Sequence, residues 1–249
     1  MINKFKIDFM VVGAQKAGTS AIDYYLRQHP KIEMASKKEL HFFDNDKFFS
    51  NSKVDYTLLN KYFPERKVNY LFGEVTPSYM YWDNSIERIK KYNQHIKLIA
   101  ILRNPIERAF SNWNMEINRN NELRSFKSCI ENEMHLILNN IKSKNLYSSY
   151  VDRGLYAKQI RNMYSCFPSE QLLFIKYENY ITNQKDTMNR VCSFLGIDLC
   201  DDNFQSKSLH KIKYLNKISL EERYLLSTFY QKDITEVEKL LNWDCSDWN

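Results

Sequence analysis

Residues Asp8 to Ser20 read DFMVVGAQKAGTS, an apolar stretch that runs into a loop of small residues with a lysine at its centre. Small residues let backbone N–H groups approach an anion. A helix that starts just after the loop adds its positive end, and Thr19 and Ser20 add hydroxyl donors. Gln15, Lys16, Ala17, Gly18, Thr19 and Ser20 are therefore candidates for gripping a phosphate-like group. Gly13 and Gly18 have the glycine spacing of the loop G-x-x-x-x-G-K-[ST], but position 19 is Thr and the lysine stands at 16. From there the ammonium can reach past a bound phosphate to the group leaving it. Taken alone, the same residues also suit an ordinary strand-to-helix turn.

Two further stretches carry chemistry. In AILRNPIERAFSNW (100–113) an apolar strand ends at Arg103, Asn104 can cap, Pro105 takes the first helical position and Ser111 lies two turns along. An arginine there suits an anionic ligand, where a nucleoside triphosphatase would place an Asp for magnesium. A local pair with Glu107 is the alternative. In SKKELHFFD (36–44) Lys38, Glu39, His41 and Asp44 surround a Phe-Phe anchor. Such a cluster can hold a carboxylate base, or it can be a solvated loop in which Glu39 pairs with Lys37 or Lys38.

Positioning these residues requires strands that end at the loops. KIDFMVV (6–12), Tyr70–Gly73, Ile96–Leu102 and Gln171–Tyr177 read as strands, and SAIDYYLRQHP (20–30) as a helix. Further helices are expected at Ser85–Tyr92, Ile106–Ile117, Phe126–Ile137, Leu155–Cys166, Lys185–Leu195, Leu220–Phe229 and Ile234–Leu241. The alternation implies an α/β fold with a mostly parallel central sheet flanked by helices and ligands beyond the strands' carboxyl ends. The polar, Asn-rich stretch 118–153 reads as a flap or a substrate-facing insertion.

The 249 residues suit one large domain. A net charge of +6 favours an anionic ligand, and the scattered basic residues do not suggest nucleic acid. Five cysteines without CxxC spacing indicate neither a zinc site nor a disulfide framework, so a reducing, cytoplasmic setting is the simplest. The apolar runs are shorter than the roughly 20 residues of a membrane helix. Oligomeric state is not readable.

Together the three motifs resemble the sulfotransferases that use 3′-phosphoadenosine 5′-phosphosulfate (PAPS), in particular the branch of the heparan sulfate N- and 3-O-sulfotransferases and their bacterial relatives. The resemblance implies the P-loop-like sulfotransferase fold and no metal. It puts Lys16, Gly18, Thr19 and Ser20 on the phosphosulfate, Arg103 and Ser111 on the 3′-phosphate, and makes Glu39 the catalytic base. His41 would orient the base or bind acceptor, with Asp44 and Glu74 as secondary acceptor contacts. It continues through RGLYAKQIRNMYSCFPSEQLLFIKYENY (153–180) and FLGI (194–197), adding Arg153 and Tyr156 near the nucleotide. SKSLHKIKYL (206–215) resembles the family's late basic loop, with Lys207 and Lys211 as its cofactor contacts.

Two departures stand out. GEVTPSY (73–79) carries Val75 where the 3-O-sulfating members carry a lysine, and no cysteine lies between 201 and 244 for the disulfide that holds their late loop. Both point to a different acceptor, such as another glycan, a glycosylated metabolite or a small alcohol. The rival readings are a P-loop small-molecule kinase, which magnesium dependence would reveal, and a nucleotide-binding module without turnover.

Overall fold

The computed structural model describes residues 6–50, 53–65, 68–141, 144–145, 147–198, 214 and 217–248. Five strands form one all-parallel sheet in the order β2-β3-β1-β4-β5: β1 Phe9–Gly13, β2 Ile32–Met34, β3 Leu71–Val75, β4 Lys97–Leu102 and β5 Leu172–Lys176. Four of these match the expected strands. β2 was not expected, because three residues are too few to show a period. Phe9 pairs with Gly73 of β3 on one side and with Lys97 of β4 on the other, so the strand order reverses at β1. A parallel sheet binds ligands at such a reversal, beyond the strands' carboxyl ends.

Backbone contacts sort the chain into two compact units. The first holds the sheet with α1 (Thr19–Leu26), α2 (Ser85–Tyr92), α6 (Tyr177–Thr182) and α7 (Gln184–Leu195). All of β1 is buried, as a doubly covered parallel strand must be. The segment after β3 lies against the end of β1: Thr76 N donates to Val11 O at 3.1 Å and Met80 N to Val12 O at 3.0 Å. Gly13 is required by that approach, since a Cβ there would fall 1.8 Å from Met80 Sδ. Gly18, at φ 93°, is the left-handed residue that turns the loop into α1.

The second unit holds residues 15–17 with α3 (Pro105–Asn118), α4 (Phe126–Leu138) and α8 (Leu220–Leu241). Asn104 caps α3 by accepting from Ile106 N and Glu107 N, with Pro105 at the first helical position. Two expected helices are one here: nothing between Phe229 and Ile234 breaks the backbone, and Leu226, Tyr230, Ile234 and Val237 make one buried stripe. α8 opens with a capping box between Ser219 and Glu222. Chain 150–157 is fastened by two acids, Glu133 buried and Asp233 half-buried: Glu133 accepts from Val151 N at 2.8 Å and Asp152 N at 2.9 Å, and Asp233 accepts from Tyr156 N at 2.8 Å. Burial pushes Glu133 up to about 7 and Asp233 to about 6. The chain passes back to the first unit within α5 (Tyr156–Cys166). No described helix is long and apolar enough to cross a membrane.

Candidate active site

In the first unit the candidate residues sit on a tight turn. Glu39 (φ 63°) and His41 (φ 51°) are both left-handed, a conformation that costs non-glycine residues and needs outside support. That support comes from the end of β3 and the segment after it. Glu39 N donates to Val75 O at 2.9 Å, Leu40 N to Glu74 Oε1 at 3.3 Å and Phe42 N to Tyr79 Oη at 3.1 Å. Below the turn Phe42 and Phe43 are buried edge-to-face at 5.2 Å, the anchor the sequence suggested.

The side chains of this turn form a line of alternating charge. Lys38 Nζ contacts Glu39 Oε1 at 2.6 Å, so the expected surface pair is present. Glu39 Oε2 also faces His41 Nε2 at 3.8 Å, an ion pair longer than a hydrogen bond. His41 Nδ1 donates to Asp44 Oδ2 at 2.9 Å, and Ser78 Oγ donates to the same oxygen at 2.6 Å. Held by Asp44 and then by Glu39, the imidazole is pushed up to about 9, so it is an imidazolium at neutral pH. It pulls Glu39 down to about 2 against burial, and Lys38 adds to the pull. At neutral pH the two therefore face each other as imidazolium and carboxylate. The side chain of Asp44 is 4% exposed and Glu74 1% exposed, both turned in under the turn.

In the second unit Lys16, itself left-handed at φ 71°, places Nζ 3.6 Å from Met115 Sδ. Burial, then Arg119 and Arg103, push its ammonium down to about 8; Glu116 opposes them and Arg108 adds a smaller push. The carboxylate that opposes them, Glu116, is itself paired with Arg119 at 3.4 Å. Arg103 Nη1 donates to Lys16 O at 3.3 Å, and Tyr156 Oη donates to Arg103 O at 2.9 Å. The alternative pairing of Arg103 with Glu107 is loose at 3.9 Å, and Glu107 is held more closely by Arg223. Ser111 and Arg153 are both buried, and Gln15 Oε1 is buried with no hydrogen-bond partner among the described residues.

The second unit thus brings Lys16, Arg103 and Tyr156 together, and the first brings Glu39, His41 and Asp44 together. Gly18, Thr19 and Ser20 form the start of α1 in the first unit, with Thr19 buried. Lys207 and Lys211 lie outside the described residues. The sequence reading missed Met115, Glu116 and Arg119. Extending the four-residue helical step from Ser111 would have reached Met115 and Arg119.

Residues 6–223 match the family model of the sulfotransferase domain. A sulfotransferase structure from Alicyclobacillus acidocaldarius aligns with a TM-score of 0.82 and 26% identity, covering 98% of this chain and 99% of that one. A mouse sulfotransferase solved in complex with PAP shares the fold at a TM-score of 0.57 and 15% identity, over 92% of this chain and 84% of that one. Among curated proteins, mouse heparan sulfate glucosamine 3-O-sulfotransferase 3B1 is 29% identical over 190 residues, which make up 76% of this chain and 45% of that protein. The chain spans about half the length of the curated relatives it matches.

Proposed function

The chain belongs to the sulfotransferase domain family, and we propose that it transfers a sulfuryl group from PAPS to a hydroxyl or amine of a glycan or glycosylated metabolite. In this reaction the acceptor's oxygen or nitrogen bonds to sulfur as the bond from sulfur to the 5′-phosphate oxygen breaks. The acceptor proton goes to a base, and PAP leaves. The sulfuryl group carries a single negative charge, so lysine, arginine and backbone amides are sufficient counter-charges and the reading invokes no metal.

The observation that carries this reading is the state of Lys16. An ammonium held among Arg119, Arg103 and Arg108, and pushed down to about 8, fits a site built for an anion. Lys16 would hold the charge that develops on the leaving phosphate, where fixed cations are most effective. Arg103 and Ser111 would bind the 3′-phosphate. Gln15, Ala17, Gly18, Thr19, Ser20 and Tyr156 would line the nucleotide, and Lys207 and Lys211 are further candidate contacts by the resemblance. Glu39 would take the acceptor's proton. At about 2 it is a weak base, but it is unprotonated at every physiological pH, and in a loose displacement the proton leaves after the acceptor has become strongly acidic.

The names of the curated relatives favour a glycan acceptor. Val75 stands buried where the resembling 3-O-sulfating enzymes carry a lysine, which argues for a glycan other than heparan sulfate. The kinase alternative is separated by thermal unfolding with PAP or with MgATP. PAP should stabilise the protein through linkage and MgATP should do much less. Stabilisation by MgATP alone would reject the sulfotransferase reading.

A further inference from the structure

We propose that Glu74 is a positioning residue for this reaction: from β3 its Oε1 fixes the amide of Leu40, and with it the left-handed turn that presents Glu39 and His41. The proposal rests on the sulfuryl-transfer reading only for the purpose of the turn, not for its construction.

Leu40 lies between the two left-handed residues, and its amide is bound by a side chain rather than by a strand backbone. A carboxyl oxygen on a flexible stem can meet an N–H that no ladder carbonyl reaches. Glu74 Oε1 accepts from Leu40 N and from Thr76 Oγ1, while Oε2 has no partner among the described residues. One oxygen thus makes both contacts, and the side chain is fully enclosed. Burying a carboxyl is costly when an apolar residue could fill the same place in a strand, so the contact to Leu40 is the evident return.

Its surroundings also set its charge. Thr76, Leu40, Asp44, His41 and Tyr79 face Glu74, and burial outweighs the first two, pushing the carboxyl up to about 8. At neutral pH it is mostly protonated and places no further negative charge beside Asp44. The imidazolium of His41 is left to Asp44 and Glu39. Glu74 therefore acts through its reach and shape, not through its charge.

This separates two conservative variants. Glu74→Gln keeps the reach and a neutral oxygen for Leu40; Glu74→Asp keeps the acid but is shorter by one methylene. Hydrogen exchange of peptides covering residues 38–43, PAP affinity and ³⁵S transfer from labelled PAPS to the extract fraction that the wild type labels would be measured on each. Glu74→Asp should exchange faster over 38–43 and lose about tenfold or more in kcat, since misplacement by about 1 Å costs up to about 10²-fold. Its PAP affinity should be unchanged. Glu74→Gln should stay within a few-fold of wild type in all three. Wild-type exchange and turnover in Glu74→Asp, or an equal or greater loss in Glu74→Gln, would overturn the proposal. Should Glu39→Gln leave transfer untouched, the catalytic reading fails by itself, and the order of exchange rates still judges the anchoring.

Discussion

The turn around Glu39 and the loop around Lys16 treat charge in opposite ways. Along Lys38, Glu39, His41 and Asp44 each charged group faces one of opposite sign, and the turn is complete as it stands. Around Lys16 the neighbours Arg119, Arg103 and Arg108 share its sign; Glu116 opposes them while pairing with Arg119, and Glu107 faces Arg103 loosely at 3.9 Å. The first arrangement holds a side chain in place. The second, on the reading proposed above, would be completed by the nucleotide.

The contrast is broken most severely at Lys16. If its ammonium acts mainly on the leaving phosphate, Lys16→Ala should lower turnover by about 10²–10³-fold, the scale for losing one such group, while PAP affinity falls much less. Arg103→Ala should do the reverse. Equal losses of PAP affinity with unchanged saturated turnover in both variants would refute this division. Glu39→Gln comes next. It keeps shape and PAP binding but removes the base, so sulfuryl transfer should fall by roughly 10²-fold, within the range for general-base catalysis. Near-wild-type transfer would reduce Glu39 to a partner of Lys38.

Smaller effects test the charge pattern itself. An anion binds the protonated lysine better, so PAP affinity should be level from about pH 7, above the second ionisation of its phosphates at about 6, to about 8, and fall above that. Calorimetry near that pH should show proton uptake, and Lys16→Met should flatten the dependence. The same variant relieves the crowding and should raise the unliganded protein's Tm by roughly 2–4 °C, the shift that about 1 kcal/mol makes in a chain of this size. A drop in Tm would contradict the crowding.

The two regions also differ in the sign of their pH dependence. His41 holds its proton more tightly folded than unfolded, so its contribution is full below about 6.5 and lost as pH rises through about 9. Glu39 contributes above about 4.5, and that is lost as pH falls through about 2. Lys16 holds its proton less tightly when folded, so its penalty fades as pH rises above about 8. Unfolding scans across pH should therefore show His41→Gln and Lys16→Met changing the alkaline slope in opposite directions. Parallel changes would mean that one of the two shifts is misassigned.

Much of this was legible in the sequence because it is local. The strand before Gly13, the turn at Gly18, the Asn104 cap with Pro105 behind it, and the Phe-Phe anchor each follow from a few adjacent residues. β2 is three residues long and is defined by its neighbour β3, and α8 is joined across 230–233 by a stripe that shows only when it is traced over its full length. Glu74 read as an acidic residue available to an acceptor. Its burial and its bond to Leu40 join residues 34 positions apart, a relation that no local pattern carries. Arg119 was missed for the opposite reason. It reads as a charged residue at a helix end, and only its place near Lys16 gives it meaning.

The central claim is that this chain moves sulfuryl groups from PAPS, and transfer itself tests it most directly. Purified protein and ³⁵S-labelled PAPS would be incubated, without added magnesium, with glycan and small-molecule fractions of the source organism's extract. Wild type should label one fraction, release one PAP for each sulfuryl group transferred, and lose that labelling in Glu39→Gln and Lys16→Ala. Labelling that is equal in all three proteins, or phosphoryl transfer from MgATP in place of sulfuryl transfer, would contradict the account.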